Sequence, residues 1–99
     1  MVKHVILWKL KDMSEAEYAT VISEMKTNLE ALVGKVPGLL DLKVYTTKLP
    51  SSNVDVMLDS TLESEEALKG YAVHPDHVFA ADTYVRPFTA SRSCLDFEI

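Results

Sequence analysis

Between Ser14 and Gly34 the chain reads as a helix. Apolar residues fall at Tyr18, Val21, Ile22, Met25, Leu29, Leu32 and Val33, an i, i+3, i+4 stripe about five turns long. Glu15, Glu17, Glu24, Lys26 and Glu30 lie off the stripe. Ser14 can cap the first turn, and Glu17, three residues on, can reach back to the Ser14 N–H. Gly34 can leave the helix through a left-handed conformation, and Pro37-Gly38 prevents its continuation. Whatever surrounds this helix must bury its one apolar side.

The flanking segments alternate with a period of two, as strands do. Val2 to Leu10 sets Val2, His4, Ile6, Trp8 and Leu10 against Lys3, Val5, Leu7 and Lys9. Leu39 to Thr47 sets Leu40, Leu42, Val44 and Thr46 against Leu39, Asp41, Lys43 and Tyr45. After the turn formers Leu49-Pro50-Ser51-Ser52-Asn53, Val54 to Ser60 sets Val54, Val56 and Leu58 against Asp55, Met57 and Asp59. The short connection predicts an antiparallel hairpin. Ser64 can cap a second helix with an acidic first turn at Glu65 and Glu66.

Pro75 pushes His74 out of the helical region and suits the first position of a third helix, expected to run to Tyr84 or Val85. Thr89 to Ile99 is a last strand, with Ser91, Ser93, Leu95, Phe97 and Ile99 opposite Ala90, Arg92, Cys94, Asp96 and Glu98. The order β-α-β-β-α-(α)-β predicts an α+β, ferredoxin-like antiparallel sheet with its helices on one face. At 99 residues the chain has room for one hydrophobic core, so residues 1–99 are expected to form a single domain.

A net charge of −5 with scattered lysines and arginines argues against nucleic acid and anionic membrane surfaces. The longest apolar run, Val5 to Trp8, is far too short for a membrane span, and no signal-peptide pattern opens the sequence. The lone Cys94 fits a reducing compartment, so the expected location is the cytoplasm. Cys94 is expected to be a plain sheet residue rather than a nucleophile.

With helices on one face, the opposite sheet face needs a cover. The alternation assigns it Val5, Leu7, Leu39, Tyr45, Met57 and Cys94, interleaved with Lys3, Lys9, Lys43, Arg92 and the aspartates 41, 55, 59 and 96. Such a mixed patch predicts a homodimer joined through its sheet faces.

Gly70 to Val78 gathers Tyr71, His74 and His77 around Pro75. His74 and Pro75 are expected to be structural, ending one helix and starting the next. A metal is not expected, because His74 and His77 supply only two imidazoles and a site needs three or four ligands.

Three segments together resemble the stress-responsive A/B barrel domain family, also called Dabb. They are the opening Val-Lys-His-Val-Ile-Leu-Trp-Lys-Leu-Lys-Asp, Val36-Pro37-Gly38-Leu39, and Tyr71-Ala72-Val73-His74-Pro75-Asp76-His77-Val78. The resemblance spans essentially the whole chain. It implies a dimeric α/β barrel, two ferredoxin-like units with sheets together and helices outside. It also implies a pocket, and, where members are enzymes, polyketide cyclisation without a cofactor. The motif tyrosine and second histidine, Tyr71 and His77, then carry the catalysis, and His4 lines the cavity.

On that basis His77 is the candidate base, neutral because a helix N-terminus disfavours a cation, and Tyr71 the donor to a developing enolate. Strand residues His4, Ile6, Trp8, Val56 and Leu58 are the expected pocket, with Tyr18 and Ile22 from the first helix. The bulk of Trp8 is expected to narrow it. The plainer alternative has His77 bonding a backbone carbonyl under its helix and Tyr71 serving as a core aromatic. Three functions stay open: a cofactor-free cyclase or isomerase for a hydrophobic carbonyl or polyketide-like compound, a non-catalytic stress-related dimer, and a cofactor-independent monooxygenase.

Overall fold

A computed structural model describes residues 1–99. The elements are β1 (Val2–Leu10), α1 (Glu15–Glu30), β2 (Leu39–Tyr45), β3 (Val56–Leu62), α2 (Glu65–Val73), α3 (Pro75–Ala80) and β4 (Thr89–Glu98). A π turn at Ala81–Val85 and a 3-10 turn at Arg86–Phe88 join α3 to β4. The sheet order is β2-β3-β1-β4, antiparallel throughout, which is the ferredoxin-like arrangement. No helix is long and apolar enough to cross a membrane.

Ser14 Oγ accepts from the Glu17 N–H at 3.2 Å, as its spacing predicts. The helix it starts is shorter than the apolar stripe. It ends at Glu30, and the chain unwinds through Lys35, with Leu32 N–H donating to Leu29 O at 3.1 Å. Its last turn is also tied to the sheet. Glu30 accepts from the Val44 N–H at 2.9 Å, while Lys26 Nζ donates to Val44 O at 2.8 Å and to Glu30 at 2.8 Å. The end of α1 is therefore clamped to the free edge of β2. Leu32 still reaches the core, and Val33 turns outward.

Gly38 adopts φ +81°, and a Cβ there would stand 2.6 Å from Ala67 Cβ. Only glycine allows α2 to lie this close to the turn before β2. A bulge follows at once. Leu39 faces Leu62 and Asp41 faces Thr61, so two residues of β2 oppose one of β3. The extra residue reverses the expected alternation at the start of β2: Leu39 enters the core and Leu40 is exposed. β2 also ends two residues early, at Tyr45.

β3 is displaced by two residues from the segment the alternation marks out. It starts after Asp55, whose carboxylate accepts from the Leu10 N–H at 2.7 Å and the Tyr18 hydroxyl at 3.2 Å and pairs with Lys48. It continues to Leu62 through the fully buried Ser60, whose hydroxyl donates to His4 O at 2.9 Å. A satisfied hydroxyl can continue a core strand.

β4 corrects the expected sheet faces. Its register places Asp96 beside His4, Cys94 beside Ile6 and Arg92 beside Trp8. Arg92, Cys94 and Asp96 therefore share the helix-side face, and Leu95 and Phe97 stand on the outer face beside Val5 and Lys3. Alternation groups residues by face without saying which face is inside, and a one-residue offset exchanges them all. As an edge strand at the rim of the helical layer, β4 can carry polar groups inward. The core lies over β1, β2 and β3, where α1 contributes Val21, Met25 and Leu29.

Candidate functional site

Ser64 Oγ accepts from the Ala67 N–H at 3.1 Å and starts α2, which ends at Val73 with Tyr71 on its inward side. His74 is extended, at φ −63° and ψ 133°, as a residue before proline should be. Its Nδ1 accepts from the Asp76 N–H at 3.1 Å. His74 thus ends α2 and caps α3, with Pro75 at the first helical position. The reversal folds His77 back over α2, where its Nδ1 lies 3.2 Å from Ala72 O. A carbonyl only accepts, so Nδ1 carries the proton and Nε2 keeps a free lone pair. The rings of Tyr71 and His77 lie 4.2 Å apart, centroid to centroid, at an interplanar angle of 37°.

His4 approaches from β1, its ring centroid 5.9 Å from that of Tyr71 in an edge-on arrangement. Its Nδ1 bonds the Asp96 carboxylate across the β1–β4 pair, which leaves Nε2 as its free nitrogen. All three rings border one cavity of about 400 Å³, open to solvent on one side. Ile6, Trp8 and Leu58 form the apolar floor of this space; the π turn supplies Ala81 and Val85; Leu29 is the contribution of α1. Trp8 is only 4% exposed and stands in the wall without closing the cavity.

The other expected pocket residues lie elsewhere. Tyr18 is at the opposite end of α1, bonded to Asp55. Ile22 packs against the core, and Val56 is buried within it. Sequence reasoning missed Asp96, Arg86 and Arg92. Arg86 sits in the connection after the π turn, while Asp96 and Arg92 belong to the strand whose faces were exchanged.

Burial holds His77 below the ordinary imidazole range, against the bond to Ala72 O, and the nearby Arg86, His4 and Arg92 push the same way as burial. His77 is therefore neutral near pH 7, through desolvation more than through its place at a helix start. Burial raises the Tyr71 phenol above its usual range, against a smaller pull from Arg92, and keeps it a donor.

His74 Nδ1 is taken up by the Asp76 N–H, and His77 Nδ1 by the Ala72 carbonyl. The three side chains that could share a cation are His4, Cys94 and Asp96. Cys94 Sγ lies 3.8 Å from His4 Nδ1 and 3.5 Å from Asp96 Oδ1. The His4–Asp96 bond occupies the space between those two donors, and burial and Asp96 raise the Cys94 thiol. The trio reads as a hydrogen-bonded cluster with a protonated thiol, which is neither a thiolate ligand nor a nucleophile.

A family model described as Stress responsive A/B Barrel Domain matches residues 2–99. A stress-response A/B barrel domain-containing protein of Arabidopsis thaliana is 30% identical over 103 aligned positions, covering 98% of this chain and 36% of that protein. The chain thus spans little more than a third of that relative. Olivetolic acid cyclase of Cannabis sativa is 34% identical over 86 positions, covering 84% of this chain and 82% of the cyclase. A crystal structure from Bacteroides fragilis, described as a dimeric protein of unknown function with a ferredoxin-like fold, superposes with a TM-score of 0.92 at 31% identity. It covers 99% of this chain and 95% of its own.

Proposed function

The chain belongs to the stress responsive A/B barrel domain family, and from that premise we propose that it binds a small hydrophobic carbonyl or polyketide-like compound in the cavity around Tyr71 and His77. The reaction we assign is a cofactor-free cyclisation or isomerisation. The relation to olivetolic acid cyclase supports this class of chemistry. The observation that carries the reading is the 4.2 Å approach of a buried phenol and a neutral imidazole in the wall of an apolar cavity.

His77 Nε2 takes a proton alpha to a carbonyl, and the electron pair moves to the oxygen, where the Tyr71 hydroxyl meets the developing charge. The enolate carbon attacks a second carbonyl of the same molecule and forms one carbon–carbon bond. The new alkoxide then recovers the proton from His77. No atom or electron is gained or lost, so the residues present suffice. His4, oriented by Asp96, offers Nε2 as an acceptor for a hydroxyl of the bound molecule.

We assign the chain to a homodimer joined through the outer sheet face, a reading supported by the dimeric Bacteroides fragilis structure. A single free cysteine suits a reducing compartment, and we place the protein in the cytoplasm.

A second reading, a non-catalytic structural or binding dimer, is favoured by two observations: the His77–Ala72 bond and the 2% exposure of Tyr71 also suit a packed turn. The test is turnover of a linear poly-β-keto carboxylate by wild type, His77→Ala and Tyr71→Phe, with thermal melts of each. Removing the base is expected to cost about a hundredfold or more in kcat with little change in melting. A wild type without turnover, joined to a His77→Ala variant that mainly loses stability, establishes the structural reading. Oxygen uptake with a quinol-like substrate would instead mark a monooxygenase.

A further inference from the structure

The charge of the cavity runs against the charge of the chain. Acidic residues outnumber basic ones 15 to 10 overall, yet the cavity is lined by two arginines, Arg86 and Arg92, and by no carboxylate. The two arginines differ. Arg86 is engaged outside the cavity by Asp82, its i−4 neighbour. Arg92 takes part in none of the ion pairs of the molecule. It lies on the inner face of edge strand β4, directly across from Trp8, with the Cys94 thiol beside it.

Arg92 stands beside the Cys94 thiol, and that thiol lies 3.8 Å from His4 Nδ1, so the arginine is a neighbour of the ring group. The rest of the lining is mainly aliphatic and aromatic. The site thus sets one cation without a carboxylate partner beside the Tyr71–His77–His4 group, against an otherwise apolar wall. Resting on the assignment of this cavity as the ligand site, we infer that its ligand is a single-chain carboxylate. Arg92 receives the carboxylate group, and the apolar chain lies along the lining of Ile6, Trp8, Leu58 and Val85.

A guanidinium matches a carboxylate through two parallel N–H donors; Arg92 is exposed, so it offers that fork at the solvent-facing edge of the cavity. The electrostatic influence of Arg92 on both Tyr71 and His77 places its charge within range of the reacting groups. A carboxylate bound there screens that charge. Arg92 therefore sets which molecules enter, and the rings act on what it has positioned.

The experiment is calorimetric titration of the full chain with octanoate and with octanol, which share a chain length and differ in charge. Wild type is expected to bind octanoate about tenfold or more tightly than octanol, the worth of one charge-assisted pair. That preference should shrink as salt is raised. Arg92→Gln should lose the preference while holding octanol as wild type does, and Arg86→Gln should lose less. Equal binding of the two probes by wild type overturns the inference while leaving the cavity as a ligand site. A preference retained in Arg92→Gln also overturns it. Binding of neither probe overturns the cavity reading and this inference with it.

Discussion

His77 meets two opposing influences: burial disfavours its cation, and the Ala72 carbonyl favours a protonated Nδ1. Burial prevails, so the folded pKa lies below the unfolded value of about 6.5. Between those two values the unfolded chain binds more protons than the folded one. Stability therefore rises with pH across this window and is lost as pH falls through the folded value. Urea midpoints measured from about pH 5 to about pH 7.5 should climb for wild type and be flatter for His77→Gln. Asp55 and Glu30 do not confuse the result. Burial raises each, but their hydrogen bonds, including those from Lys48 and Lys26, hold both below the ordinary carboxylate range. An unchanged slope in the variant would mean that His77 is not the group protected from its proton. Tyr71 and His77 were legible as a pair because the motif and the forced turn at Pro75 bring them together. Asp96 and Arg92 were not, since no local feature of β4 says which of its two faces is the inner one.

The α2–α3 turn sets the angle at which His77 enters the cavity, and one side chain sets the turn. His74→Ala removes the acceptor of the Asp76 N–H and should cost about 1 kcal/mol, read from denaturant midpoints at constant m-value. His74→Asn, which can cap in the same way, should recover most of that loss. If His74→Ala is as stable as wild type, Pro75 alone fixes the turn. This turn was readable from the chain because a proline acts on its immediate neighbours. The element boundaries that were not readable depend on distant partners. α1 stops at Glu30, where Glu30 and Lys26 are engaged by Val44, eighteen residues from Lys26. β3 runs on through Ser60 because the hydroxyl finds His4 O across the sheet. The bulge that puts Leu39 inside is seen only in the pairing of β2 with β3.

At the scale of the molecule, the exchange of faces in β4 gives the outer sheet surface a more apolar character than the alternation assigned to it. Cys94, Arg92 and Asp96 leave that face, and Leu95 and Phe97 join Val5, Leu7, Met57 and Tyr45. Leu95 is 63% exposed, Tyr45 54% and Phe97 40%, a concentration of large side chains that soluble monomers rarely leave in water. Lys3 pairs with Asp59 at 2.7 Å within the same face, so these two charges are matched before a partner arrives. Two such sheets stacked about a two-fold axis would bury the apolar residues of both. If this is the interface, folding and association are linked, and the melting temperature of wild type should rise with protein concentration. Leu95→Lys sets a charge within the apolar part of each face, beside Val5. It should sediment as a monomer at micromolar concentration and melt at a temperature independent of concentration. Because Leu95 faces away from the cavity, this variant also separates assembly from ligand binding. A wild type that sediments as a monomer, with no concentration dependence in its melting, would leave the outer face without a partner and remove the barrel from the proposal.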